Sequence, residues 1–155
     1  MAWTNPPTIA TGDVYTSALF NTITVAANYP ASETVLTWGT EDFDTDSMFT
    51  TTAPSKITFN TAGKYFVAVN VRPQNSSRSQ ASIFLNSTTT TGTRVAFGDV
   101  PIGGAASDPL VTAWTVRSFS AGDFITATIN RVGTTGTENI IGEAAPVFLA
   151  QWAGG

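Results

Sequence analysis

A two-residue alternation of side chains constrains the fold more than any other feature of this chain. It is clearest in KYFVAVNVR, residues Lys64–Arg72. One face of this segment would carry Tyr65, Val67, Val69 and Val71, and the other Phe66, Ala68 and Asn70. Because successive side chains of a strand point to opposite faces of its sheet, this spacing predicts a β-strand.

Similar short segments recur along the chain, separated by turns that contain Gly, Pro, Asn or Asp. The other predicted strands are Glu33–Trp38, Asp46–Phe49, Ser55–Asn60, Ser79–Asn86, Thr93–Val100, Leu110–Phe119, Phe124–Asn130 and Val147–Trp152. Thr and aromatic residues, which favour strands, are frequent, and charged residues make up only 12% of the chain. The sequence therefore predicts an all-β sandwich or barrel of about eight to ten antiparallel strands.

The first thirty or so residues depart from this pattern. Pro6 and Pro7 each lack an N–H and fix the backbone angle φ, so we expect no regular structure around them. In Thr16–Asn28, Ser17 is a candidate helix cap and apolar residues follow at helical spacing, which predicts a short helix. Its β-branched residues also favour a strand. We expect an N-terminal arm over residues 1–32 and one sandwich domain over residues 33–155.

The residues that are missing or dispersed exclude several kinds of function. The chain has no histidine and no cysteine, so Ser-His-Asp triads, Cys-His pairs and ordinary zinc sites cannot form within it. Its net charge is −4 and its seven basic residues are scattered, so we expect no nucleic-acid binding. The N-terminus lacks the basic and apolar regions of a signal peptide, and no run is long enough to cross a membrane.

Two predicted strands, Lys64–Arg72 and Val147–Trp152, are apolar on both faces. One face of a sandwich sheet usually contacts water. The core of a chain of this length could absorb the additional aromatic side chains. Alternatively, the strands bury their second face against other copies of the chain. The candidates for such an interface are Tyr65, Phe66, Trp114, Phe148 and Trp152.

Three segments, in the expected order, resemble the C1q/TNF-like jelly rolls. SKITFNTAGKYFVAVNV (Ser55–Val71) resembles that family's central strand, glycine turn and aromatic-rich strand. SFSAGDFITATI (Ser118–Ile129) resembles its Gly-Asp strand entry, and PVFLAQW (Pro146–Trp152) resembles its closing strand near the threefold axis. Together they extend the resemblance from Glu33 to Trp152, and it implies a C1q/TNF-like jelly-roll sandwich that forms homotrimers.

Two further segments resemble proteins of tailed bacteriophages. FDTDSM (Phe43–Met48), followed by SKITFNTAGKY, is similar to short virion proteins, and MAWTNPPTIATGDVYTSALFNT resembles the N-terminal arm of phage structural proteins. The resemblance implies a capsid decoration (cement) protein or a fibre head, located on the virion. In the first case the major capsid protein would be a partner. The arm residues expected to contact the shell are Trp3, Pro6, Pro7, Tyr15 and Phe20.

The acidic stretch EDFDTDSMFT, from Glu41 to Thr50, begins like a calcium loop because Asp42, Asp44 and Asp46 alternate. A helical calcium loop would continue with Gly at its sixth position and Glu at its twelfth, where this chain has Ser47 and Ala53. A surface that faces a partner and a looser calcium site remain alternatives. We favour a structural role, in which alternate carboxylates protect a strand edge.

Catalysis is not predicted. The remaining candidate carboxylates, Asp99, Asp123, Glu138 and Glu143, lie in predicted turns, where such residues usually cap their own backbone. We therefore expect no enzyme and no cofactor. The leading hypothesis is a homotrimeric decoration protein on the outer capsid surface, and deletion of Met1–Tyr29 should leave a folded trimer that no longer binds capsids. The alternative is a fibre tip that recognises a host receptor through the loops Gly98–Asp108 and Val132–Pro146.

Overall fold

The chain forms a two-layer β-structure in a computed structural model that describes residues 17–23, 32–73, 78–101, 110–132 and 146–154. Within these residues there are ten strands. They are β1 (Ser17–Ile23), β2 (Thr34–Val35), β3 (Trp38–Asp44), β4 (Lys56–Thr58), β5 (Gly63–Val71), β6 (Arg78–Leu85), β7 (Thr93–Pro101), β8 (Val111–Phe119), β9 (Phe124–Val132) and β10 (Val147–Gly154). The all-β prediction is confirmed. In this part of the chain no helix is long and apolar enough to cross a membrane.

The strands pair into two antiparallel sheets. Sheet I has the order β3-β1-β10-β5-β8, and sheet II has the order β2-β9-β6-β7, with β4 also paired to β9. Strands that are distant in sequence become neighbours, since β10 lies between β1 and β5. Because neighbouring strands come from distant parts of the sequence, no single segment of the sequence could specify the order of the strands in a sheet.

The core lies between the sheets and follows the predicted alternation. In β5, Tyr65, Val67, Val69 and Val71 are fully buried, whereas Phe66 and Asn70 on the other face are only partly covered. Sheet II contributes Ala81 and Ile83 from β6 and Ile125, Ala127 and Ile129 from β9. Two aromatic pairs stack within this core: Trp38 with Phe148, at 5.4 Å between ring centroids, and Phe59 with Phe119, at 4.0 Å.

The predicted helix over Thr16–Asn28 is wrong for Ser17–Ile23, which forms β1. The strand pairs on one side with β10, where Ser17 faces Gln151, and on the other side with β3. Two neighbours supply hydrogen-bond partners that an isolated segment lacks, and the β-branched Thr22 and Ile23 suit a strand. The other residues of the predicted helix lie outside the described residues. The boundary between residues 32 and 33 stays a prediction.

The predicted short strand at Asp46–Phe49 is also wrong. The Asp44 carboxylate accepts hydrogen bonds from the backbone N–H of Asp46, at 3.1 Å, and of Phe49, at 2.8 Å. Ser47 has a positive φ of 51°. A carboxylate that bonds its own backbone competes with strand pairing, so the chain turns here. Met48 is nevertheless 1% exposed and anchors the turn to the core.

Candidate interaction surface

The outer face of sheet I carries apolar side chains on three neighbouring strands. Phe66 of β5 lies opposite Val116 of β8, and Ala68 lies opposite both Trp114 of β8 and Leu149 of β10. The rings of Phe66 and Trp114 are 6.1 Å apart, which is within the range of aromatic contact. We call these five residues, Phe66, Ala68, Trp114, Val116 and Leu149, the apolar face.

Two members of the apolar face are strongly exposed. Trp114 is 62% exposed and Val116 is 48% exposed. Among the described residues, two other large hydrophobic side chains are comparably exposed: Phe97 on β7, at 48%, and Leu110 immediately before β8, at 50%. Leu110 lies beside Trp114 and Val116 at the β8 edge of sheet I, whereas Phe97 lies on the outer face of sheet II. Neighbouring exposed apolar side chains such as Trp114 and Val116 are typical of a contact surface.

Polar residues border the apolar face at both ends of the strands. At one end, the Thr112 hydroxyl donates to the Asn70 side-chain oxygen at 3.0 Å. At the other end, Lys64, Ser118 and Gln151 are exposed. An apolar centre with a polar, hydrated rim is the usual composition of a protein–protein interface.

The outer face of sheet II is covered by the chain's own side chains. Phe84, Ser82, Thr126 and Thr128 point away from the core but are at most 2% exposed. The Arg94 guanidinium lies 5.3 Å from the centre of the Phe84 ring and pairs with Glu33 at 3.6 Å.

Hydrogen bonds also hold side chains in place on the outer face of sheet II. Glu33 accepts a hydrogen bond from the Thr128 hydroxyl at 2.7 Å. The Thr126 hydroxyl donates to the backbone oxygen of Ser87 at 2.8 Å, which ties the β6–β7 turn to β9. The two faces are therefore unequal: the outer face of sheet II over β6 and β9 is covered within one chain and exposes Phe97 on its β7 side, whereas sheet I exposes Trp114 and Val116 together.

The structure divides the five predicted interface residues into three groups. Phe66 and Trp114 lie together on the apolar face. Tyr65 and Phe148 are fully buried and belong to the core, because they fall on the inner positions of β5 and β10. Trp152 is partly buried, packs against the core and lies 6.1 Å from the Tyr65 ring. The interface prediction is therefore corrected for Tyr65 and Phe148, which have no exposed surface to offer a partner.

Sequence reasoning missed Val116 and Leu149 as candidates. The signal was present in the alternation of side chains. It places Val116 on the same face of its strand as Trp114, and it places Leu149 on the opposite face of its strand from Phe148. Of the predicted arm residues, Trp3, Pro6, Pro7 and Tyr15 lie outside the described residues. Phe20 belongs to β1, where its backbone pairs with that of Phe148. The arm's role in contact with a shell stays a prediction.

The acidic stretch is built as a turn around Asp44. Besides the two N–H groups bound by Asp44, the Asn60 side chain donates to the backbone oxygens of Asp46 and Ser47, at 2.6 and 3.0 Å. Across the described residues, no cluster of three or more Asp or Glu side chains could hold a metal ion. The side chain of Asp42 lies outside the described ones. Asp44 thus has a structural role, but as the hydrogen-bond acceptor of a turn and not as one of a row of carboxylates along a strand edge.

Two other carboxylates have their pKa values lowered by hydrogen bonds. Arg78 Nε donates to Asp99 at 2.9 Å, and this interaction lowers the pKa of Asp99. Asn86 Nδ2 and the Ser120 N–H each donate to Asp123 at 2.8 Å, and these bonds lower its pKa. A carboxyl group with a lowered pKa is ionised at neutral pH, whereas a glycosidase needs one carboxylic acid with a raised pKa. The prediction that Asp99 lies in a turn is wrong, since Asp99 belongs to β7, whereas Asp123 does lie in a turn, and both carboxylates accept structural hydrogen bonds.

Comparison with known proteins agrees with this architecture. The sequence matches no established family and no curated protein. Solved structures are similar in fold: murine APRIL at pH 5.0 has a TM-score of 0.67 at 9% identity, covering 89% of this chain and 98% of its own. The globular domain of zebrafish complement 1qA has a TM-score of 0.63 at 11% identity, covering 90% and 97%. The fold is a TNF/C1q-like jelly roll.

A third structure, Eiger TNF from S. frugiperda, supports the same assignment of the jelly roll. It has a TM-score of 0.62 at 9% identity and covers 90% of this chain and 93% of its own. Such low identity establishes shared backbone architecture and nothing about ligands or partners. The predicted C1q/TNF-like fold class is confirmed, and the function of this jelly roll must be argued from its own surface.

Proposed function

We propose that this protein is a homotrimeric structural component of a phage particle, namely a capsid decoration (cement) protein without catalytic activity. The observation that carries the proposal is the apolar face of sheet I, where Trp114 and Val116 are exposed side by side. The TNF/C1q-like fold supports a trimer, because the sequence resemblance to that family implies one. The phage assignment is supported by the resemblance of Phe43–Met48 and of the N-terminal segment to virion proteins.

The position of the apolar face favours a closed ring over a face-to-face pair. It covers β10, β5 and β8, so it lies towards the β8 edge of sheet I. Leu110, immediately before β8, adds exposed apolar surface at that edge. A two-fold contact needs a patch that is complementary to itself, whereas a patch at one edge of a sheet suits head-to-tail contacts that close by rotation.

The trimer is tested by replacing Trp114 with lysine. Wild-type protein should elute with three times the chain mass of 16.2 kDa in size-exclusion chromatography with light scattering. Trp114→Lys should elute as a monomer, because burying an unpaired charge requires more free energy than the rest of the interface contributes to association. Thr93→Lys, an exposed position on β7 away from the apolar face, is the matched control and should stay trimeric. A monomeric wild type, or a trimeric Trp114→Lys, would contradict the assignment.

The location on the virion is tested by counting copies of this protein per particle. Quantitative gel densitometry against the major capsid protein should give on the order of hundreds of copies, in a fixed ratio to the shell, because each local symmetry site would carry one trimer. A handful of copies would instead support the alternative, a trimeric fibre head at a vertex or the tail. Absence from purified particles would refute both.

A further inference from the structure

One exposed aromatic side chain lies outside the proposed trimer contact. Phe97 of β7 is 48% exposed and is paired with Ser82 of β6, whose side chain points away from the core. Phe97 therefore lies on the outer face of sheet II. The apolar face belongs to sheet I, on the opposite side of the sandwich. A trimer held by the apolar face would leave the Phe97 ring in contact with water.

A neighbouring guanidinium group holds the Phe97 ring in position. The carbon at the centre of the Arg94 guanidinium lies 5.0 Å from the centre of the Phe97 ring and 5.3 Å from that of the buried Phe84 ring. Arg94 also pairs with Glu33 at 3.6 Å. An aromatic ring that is fixed in this way loses little conformational entropy when a ligand stacks on it.

A row of planar polar side chains crosses the same face beside Phe97. Asp99 follows two residues later on β7, roughly 7 Å away, and the strand pairing places Gln80 and then Asn130 next to it. Asn130 Nδ2 donates to Gln80 Oε1 at 3.1 Å, and Gln80 Nε2 donates to Asp99 Oδ2 at 3.4 Å. We call Phe97, Asp99, Gln80 and Asn130 the aromatic platform.

The polar groups of the aromatic platform are ordered and still able to bind a ligand. Gln80, Asp99 and Asn130 are each partly exposed. A side-chain amide has two N–H donors and two acceptor lone pairs, and an ionised carboxylate has about four acceptor sites. One bond to a neighbour therefore leaves each group with capacity for a further partner. This arrangement suits a ligand that carries many hydroxyl groups.

The charged groups that contact the aromatic platform are paired, which narrows the class of ligand. Arg78 pairs with Asp99, and Arg94 pairs with Glu33. A surface without net positive charge does not attract the phosphates of a nucleic acid. Among the described residues of this face, Phe97 is the one large hydrophobic side chain that is strongly exposed, and a single ring is too small for the centre of a protein interface.

We propose that the aromatic platform binds a neutral carbohydrate, with Phe97 packed against the face of a sugar ring. The C–H groups of a sugar ring are apolar and pack on an aromatic ring, while its hydroxyl groups bind planar amides and carboxylates. The platform is complete within one chain, so this role goes beyond the proposed function and does not depend on the shell. A trimer would present three platforms, which bind a polysaccharide more tightly together than singly.

The proposal is tested by electrophoresis of the full-length protein in native gels that contain dextran, glucomannan or galactomannan. At least one of these neutral polysaccharides should slow the wild-type protein relative to a gel without polysaccharide. Phe97→Ala and Phe97→Leu should bind at least about tenfold more weakly, because leucine keeps an apolar side chain but not a flat ring. Phe97→Tyr keeps the ring and should bind like wild type. Thr93→Ala, at an exposed position on the same strand outside the platform, is the matched control.

Two results would overturn the proposal. One is a wild-type mobility that none of the three polysaccharides changes. The other is full retardation of a Phe97→Ala variant whose circular dichroism matches that of wild type, because another surface would then bind the polysaccharide. Trp114→Lys should still be slowed, although less strongly, since a monomer presents one platform. Complete loss in that variant would place the site on the apolar face. The number of copies per particle tests the decoration function separately.

Discussion

Gly98 of β7 lies directly against the backbone of β8. A β-carbon built on it would lie 1.9 Å from the backbone oxygen of Thr112 and 2.6 Å from the carbonyl carbon. These neighbours are backbone atoms of a paired strand, which cannot move aside as a flexible side chain can. Only glycine allows β7 to pack directly on β8 at this point.

Gly98→Ala should therefore destabilise the fold by about 3 kcal/mol, measured as the free energy of unfolding in urea. Gly63→Ala is the matched control, because a β-carbon there would be 3.5 Å from its nearest neighbour, which is ordinary contact. It should change stability by less than about 1 kcal/mol. Equal effects of the two substitutions would show that the close approach at Gly98 is not a real constraint.

Asp123 and Asn86 connect the turn between β6 and β7 to the turn between β8 and β9. Asp123 binds Asn86 Nδ2 and the Ser120 N–H, and Asn86 Oδ1 accepts the Phe124 N–H at 2.9 Å. Asn86 has a φ of 52°, a conformation that asparagine tolerates better than most residues. The pair therefore fixes how the β6–β7 and β8–β9 connections meet.

The stability supplied by Asp123 should depend on pH. Hydrogen bonds to its ionised form lower its pKa in the folded state, so the contribution is complete above the unfolded pKa of about 4 and is lost as pH falls through the folded value. Asp123→Asn should be destabilised at pH 7 relative to wild type, and the difference should shrink by pH 2. Urea unfolding at both pH values measures it. An equal difference at both would show that charge is not involved.

At the scale of elements, β1 is an N-terminal strand in the interior of a sheet. It pairs with β3 on one side and with β10 on the other. Its removal would leave the facing edges of two strands without partners, which is costly and promotes aggregation. The deletion of Met1–Tyr29, which we expected from the sequence to leave a folded trimer, would remove this strand.

A shorter deletion separates the arm from the fold. Removal of residues 2–16 should leave all ten described strands and a trimer that unfolds within a few degrees of wild type, but it should abolish sedimentation with particles. Removal of residues 1–29 should give aggregated or unfolded protein. Circular dichroism and co-sedimentation measure the two effects. Retained particle binding by the shorter deletion would show that the arm is not the anchor.

At the scale of the molecule, the two outer faces have different requirements. On the outer face of sheet II, polar side chains find partners within the chain, in the Arg94–Glu33 ion pair and in the hydrogen bond from Thr128 to Glu33. Sheet I has its own polar rim but leaves Trp114 and Val116 to water unless a partner covers them. Burial of apolar surface contributes roughly 25 cal/mol per Å², so association adds to the stability of each chain.

Stability should therefore depend on protein concentration. For a chain that folds with its partners, mass action raises the unfolding temperature as concentration rises. Wild-type protein should show this rise over a hundredfold range in thermal unfolding, and Trp114→Lys should unfold at a lower temperature that no longer changes with concentration. A concentration-independent midpoint in the wild type would argue against a trimer held by the apolar face.

The sequence by itself determined the strands from Lys64 onward and which residues of a strand share a face, because a two-residue period is a local property of the backbone. It also anticipated the turn role of Asp123. Tertiary structure decided that Ser17–Ile23 is a strand, because β3 and β10 offer it partners. It likewise decided that Tyr65 and Phe148 are core while Trp114 is exposed, since these outcomes depend on which strands become neighbours and what covers each sheet.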